Sequence, residues 1–100
     1  MKKKLEIHFL PIAEEDITAI VDFIAQDKIS AAVSFYDKLE ERMQQLATHP
    51  FIGTKRTEPE LSQAGYYSLV YGNYIIFYTI EEAVIIHRVL SGYRDYIRFL

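Results

Sequence analysis

The capacity of this chain for chemistry is concentrated near its C-terminal end. His87 and Arg88 adjoin in an apolar run, and Tyr93, Arg94, Tyr96 and Arg98 follow after Gly92. Cations stabilise charge that develops on an anion, while imidazole and phenol groups move protons, so this set holds groups for anion binding and for general acid-base work. The same arginines and tyrosines suit a grip on a protein surface. Arg88, Arg94, Arg98, His87, Tyr93 and Tyr96 are therefore the residues to weigh. Lys55 and Arg56 add two more cations, but the sixteen residues from Gly65 to Ile80 contain neither Lys nor Arg.

Each of these residues also has a structural reading. Arg94 has Asp95 beside it as an ion-pair partner, and Arg88, in the middle of an apolar strand, needs an acid from a helix or loop if it is not open to water. His87 should face the side of its strand opposite Arg88 by the two-residue period, and a lone histidine there is an ordinary hydrogen-bonded group. Glu14 and Glu15 read as helix-start electrostatics. His8 and His49 are too scattered to build a metal site with any carboxylate, and the chain has no cysteine, so neither metal nor cofactor is expected.

The elements that must position these groups follow from periodicity. Leu5 to Leu10 alternates as a short strand that Pro11 ends. Ile17, Ile20, Val21 and Ile24 then form one helical stripe, predicting a helix over about 12–26. Ser30 is placed to cap a second helix whose stripe is Phe35, Leu39, Met43 and Leu46, stopped by Thr48, His49 and Pro50. The short link makes the two helices an antiparallel hairpin. Residues 51–64 show no period and read as a long, mobile surface loop. Three apolar runs, 66–71, 74–80 and 83–90, are strands of an antiparallel meander, the first two joined by Gly72-Asn73. Residues 93–100 form a tail with room for a helical turn. The fold class is thus α+β: an N-terminal strand, an αα hairpin, and a three-stranded meander, with the helices on one face of the sheet. The place of the first strand in that sheet stays open.

With 100 residues, half of them apolar and a quarter charged, the chain is expected to form one domain over 1–100 with one core. Its net charge of −3 argues against a main role in gripping phosphate backbones. Charge is unevenly placed, however: 13–27 holds five acids and no base, and the last thirteen residues hold three arginines against one acid. Lys2 to Lys4 precede an apolar stretch too short and too polar for a signal peptide, and no run approaches the roughly 18 apolar residues of a membrane helix. Without cysteine, a reducing compartment is harmless, and the cytoplasm is the expected location.

Several motifs in this order resemble the ParE branch of the RelE/ParE toxin superfamily, over about residues 10–95. They are Pro11-Ile12-Ala13 with Asp16-Ile17, Phe23-Ile24-Ala25, Ala31-Ala32, Leu46-Ala47 with Pro50 and Gly53, Gly72-Asn73-Tyr74 with Ile76-Phe77-Tyr78, and Ile86-His87-Arg88-Val89-Leu90 with Gly92, Arg94 and Asp95. The resemblance implies the toxin of a type II toxin-antitoxin or plasmid-stabilisation module, neutralised by a cognate antitoxin that covers its surface, with direct DNA contact only through the antitoxin complex. Two activities are implied: inhibition of a protein target such as DNA gyrase by binding, for which the resemblance makes Arg88, Arg94, Tyr93 and Arg98 the target-binding candidates, and ribosome-dependent mRNA cleavage, for which Arg94, His87 and Tyr96 are the catalytic candidates. Where many relatives carry arginines, this chain has Tyr67 and Asn73, which favours the protein target. A third reading is a member that keeps the fold and antitoxin binding but poisons nothing. Antitoxin contacts are expected at Tyr67, Tyr74 and Phe77, because both faces of the strand from Tyr74 are apolar and the face away from the helices needs a cover.

Overall fold

The two long helices meet at a single extended residue. The structure, a computed structural model, describes residues 4–92 and 96–100. Helix α1 (Pro11–Asp27) begins with proline at its first position, where the missing N–H has no helical partner to lose, and has Glu14 in its first turn. Lys28, at φ −156° and ψ 114°, closes α1 by donating its N–H to the Ile24 carbonyl and opens α2 (Ile29–Thr48). The expected Ser30 cap is not made. Because the break falls at Lys28, Ser30 already lies inside α2, which starts with no side-chain cap.

Strand β1 (Ile7–Phe9) precedes the hairpin, and β3 (Tyr67–Tyr71), β4 (Tyr74–Ile80) and β5 (Val84–Ser91) follow it. Gly72 supplies the positive φ, +57°, that the β3–β4 turn requires. The loop expected over 51–64 is partly ordered. It contains β2 (Thr54–Lys55), paired antiparallel with β3, and a short helix α3 (Pro59–Ser62) that again starts on proline. Elements of two and four residues are too short to leave a period in sequence. The tail ends in a 3-10 turn over Tyr96–Phe99.

The sheet order is β1-β5-β4-β3-β2, with β1 parallel to β5 and every other pair antiparallel. Between Ile80 and Tyr74 the β4–β5 ladder slips once: Tyr78 pairs with Ile86 but Phe77 with Arg88, leaving His87 as the extra residue of a bulge.

Two apolar clusters fill the two faces. Ala13 and Ile17 of α1 and Leu39, Met43 and Leu46 of α2 pack on Leu69, Ile76, Tyr78, Val84, Ile86 and Val89, all buried. On the opposite face Phe77 and Leu90 are buried beneath Leu61 of α3, with Tyr66, Ile75, Tyr96 and Leu100 packed against them. The second face therefore has a cover made by the chain itself. Among the described residues no helix is long and apolar enough to cross a membrane.

Candidate functional site

Several of the candidate residues gather where the bulge in β5, the 54–58 segment and the tail meet on the second face. Ile86 and Val89 both belong to the helix-side core, so two residues, His87 and Arg88, stand between them instead of one. The strict alternation expected from sequence, which put His87 and Arg88 on opposite faces, is broken by the bulge.

Past the bulge β5 keeps β4 on one side but has no strand on the other, since β1 pairs with it only at 84–86. Asp16 of α1 occupies the exposed edge. Its carboxylate accepts the Val89 N–H at 3.0 Å and a fork from Arg88, Nε at 2.7 Å and Nη2 at 2.8 Å. Arg88 and Asp16 side chains are only 12% and 13% exposed, so this ion pair is the partner that an arginine in an apolar strand requires. The bond to Asp16 raises the Arg88 pKa against a smaller opposing effect of burial. The remaining nitrogen, Nη1, donates to the Phe99 carbonyl at 2.7 Å, and the guanidinium lies 5.8 Å from the Phe99 ring centre.

A second cluster holds the other end of the tail. Arg56 donates through Nε and Nη2 to the two Glu58 oxygens at 3.1 and 2.5 Å, through Nη1 to the buried Ser68 hydroxyl at 3.0 Å, and through Nη2 to the Tyr96 hydroxyl at 2.6 Å. The Tyr96 hydroxyl in turn donates to Glu58 at 3.3 Å. Arg56 also sits 5.3 Å from the Tyr96 ring centre and 5.9 Å from that of Phe77. The hydrogen bond from Arg56 holds the Glu58 carboxyl down at about 2 and raises Arg56 itself. Glu58 was missed in the sequence; its only signal is an acid two residues from Arg56, which is common on any surface.

His87 makes a third group. Nδ1 is 3.1 Å from the Tyr66 hydroxyl and Nε2 is 2.9 Å from Thr79 Oγ1, which lies 3.5 Å from Glu81. The network is consistent with a neutral ring that accepts from Tyr66 and donates to Thr79. Burial lowers the His87 pKa, only partly offset by Glu81, and raises that of Tyr66. Among the described residues no three His, Asp or Glu side chains converge as metal ligands.

The other sequence candidates divide. Arg98 is exposed on the tail, while Tyr93 and Arg94 lie outside the described residues. Tyr67 stacks on Tyr78 and Tyr74 meets Phe35 edge-on, so both are half-buried on the helix side. Phe77 requires a correction. It is fully buried under Leu61 and the tail, and the apolar surface that seemed to need an antitoxin is covered from within.

The description "ParE toxin of type II toxin-antitoxin system, parDE" matches residues 7–96. The chain belongs to the ParE toxin family. It is thus a toxin of the type II toxin-antitoxin class, and Asp16, Arg56, Glu58, His87, Arg88 and Tyr96 all fall within the matched region. Its fold is similar to that of a chain in the chromosomal ParDE toxin-antitoxin system from P. aeruginosa, with a TM-score of 0.70 at 16% identity, covering 90% of this chain and 98% of the other. It is also similar to a chain of the RelBE2 toxin-antitoxin complex from Mycobacterium tuberculosis, with a TM-score of 0.59 at 22% identity, covering 88% and 98%. No curated protein matches the sequence.

Proposed function

We propose that this ParE-family toxin acts in the cytoplasm by binding a protein target, DNA gyrase, through its C-terminal tail, and that a cognate antitoxin neutralises it. The observation that carries this reading is the state of the second face. Arg56 and Arg88 are both engaged by carboxylates, both nitrogens of His87 have partners, and the Tyr96 hydroxyl is held between Arg56 and Glu58. Stabilising a phosphate would require breaking one of these ion pairs, and depriving one member of a buried pair such as Arg88–Asp16 of its partner costs about 3–5 kcal/mol. A binding mode that uses the exposed tail, with Arg98 as its described cation, needs no such rupture, and Arg94 and Tyr93 are proposed as further contacts.

For the antitoxin, the exposed apolar side of α2 is a better surface than Phe77. Ile29, Val33 and Tyr36 fall at i, i+4 and i+7 and are 72%, 56% and 44% exposed. They run into a groove of about 360 Å³ between α1, α2 and the end of β1, floored by Phe9, Ile17 and Met43 and edged by Glu14 and Glu40. An amphipathic antitoxin helix with basic flanks fits such a surface.

Expression of the chain alone from a tightly repressed promoter tests the reading. Growth arrest with DNA damage and intact mRNA is expected, together with inhibition of supercoiling by purified gyrase. Codon-linked mRNA cleavage would instead establish the ribonuclease reading, and unchanged growth would establish a non-toxic member.

A further inference from the structure

We propose that Asp16 is a positioning residue for the C-terminal tail, acting through Arg88 on Phe99, so that a carboxylate on the first helix sets where Ile97 and Arg98 are presented. The inference rests on the reading of the tail as the target-binding element and adds what holds that element in place.

The tail is not held mainly by burial. Of its described residues 96–100, Ile97 is 37% and Phe99 38% exposed, Arg98 is exposed as well, and Tyr96 and Leu100 pack into the second-face cluster. A four-residue 3-10 turn has little stability of its own. Among the described residues two polar clamps hold it, one at Tyr96 and one at Phe99. At the start, Tyr96 is held by Arg56 and Glu58. At the end, the Phe99 carbonyl is held by Arg88.

The second clamp depends on Asp16. An arginine side chain has many rotamers, and the fork with both Asp16 oxygens fixes its plane. With Nε and Nη2 committed to Asp16, Nη1 is left aimed at Phe99, and the ring of Phe99 lies by the same guanidinium. Asp16 is itself fixed by the Val89 N–H, a donor that is free to receive it because β1 stops at Phe9. Short β1, the bulge at His87 and the second turn of α1 thus combine in one device, which joins a helix to the last turn of the chain.

A merely structural Asp16 would tie α1 to β5 and nothing more. The two roles separate in a set of full-length variants: Asp16→Asn, Asp16→Glu and Arg88→Lys. Arg88→Lys keeps a charge opposite Asp16 but lacks the fork needed to serve Asp16 and Phe99 together. Two readouts are used, backbone NMR order parameters and growth arrest on expression. In the unmodified chain the amides of 97–100 are expected to be ordered like the sheet; in Asp16→Asn and Arg88→Lys they are expected to fall below about 0.6 while α1 and β5 stay near 0.85. Toxicity should fall at least tenfold in both, and Asp16→Glu should restore most of the order and toxicity. Unchanged tail order in Arg88→Lys overturns the proposal even if Asp16→Asn fails to fold. Loss of tail order with full toxicity overturns it as well. If the unmodified chain causes no growth arrest, it is the target-binding reading that fails, and the order parameters still decide whether Asp16 holds the tail.

Discussion

Replacing Tyr78 with phenylalanine isolates one hydroxyl on which the approach to the second face depends. Tyr78 is fully buried in the helix-side core, and its hydroxyl donates to the Pro50 carbonyl at 2.9 Å and accepts the Gly53 N–H at 3.1 Å. These two bonds pin the chain as it leaves α2 and turns toward Arg56. The close approach also explains Gly53, since a Cβ there would stand 2.6 Å from the Ser68 carbonyl oxygen. Tyr78→Phe keeps the ring, its stack on Tyr67 and the packing volume, so the cost comes from leaving a carbonyl and an amide without partners. At about 1 kcal/mol for each partly buried group, the loss is about 2 kcal/mol. For a domain of this size, 1 kcal/mol corresponds to roughly 4–8 °C, so the melting temperature should fall by about 8–16 °C. Thermal and urea unfolding followed by circular dichroism measure both quantities. A loss below about 0.5 kcal/mol would show that water replaces both bonds and that the hydroxyl is not the pin described here.

Four other outcomes are expected. The Glu58 carboxyl, held at about 2 instead of 4.5 chiefly by its hydrogen bond from Arg56, stabilises the fold above about pH 4.5 and loses that contribution as pH falls toward 2. Because its side chain is 24% exposed, screening limits the effect to on the order of 1 kcal/mol, and urea titrations at pH 6 and pH 3 should show a step that Glu58→Gln lacks. Phe77→Ala should lower stability by about 3–5 kcal/mol in denaturant unfolding, because a fully buried ring leaves a cavity beneath Leu61 and Tyr96. His87→Gln should leave toxicity within about threefold of the unmodified chain if the histidine is no general base, whose removal typically costs at least a hundredfold in rate; growth assays at matched expression distinguish the two. Val33→Asp, at an exposed position of α2, should leave the melting temperature within a few degrees while weakening antitoxin binding at least tenfold in a titration.

Much of the fold was legible because its larger elements carry long periods. The stripe Ile17, Ile20, Val21 and Ile24, the stripe Phe35, Leu39, Met43 and Leu46, and the Gly72 turn each state their structure locally, and all three appear where expected. The need of Arg88 for an acid was also legible, from the cost of a charge in an apolar strand. What sequence could not supply was anything decided between distant segments. The parallel seat of β1 beside β5 depends on the whole intervening chain, and β2 exists only because β3 offers its edge to Thr54 and Lys55. The bulge at His87 arises from how β5 meets β4, and it overrides the two-residue period that separated His87 from Arg88. The choice of Asp16 among the five acids of 13–27 follows from where α1 crosses the open edge of β5. Phe77 shows the same division. Sequence established that the second face is apolar and must be covered, while the packing of Leu61, Tyr96 and Leu100 decided that the cover comes from the chain's own α3 and tail. Patterning determines what each residue must avoid, and only the assembled fold determines which neighbour satisfies it.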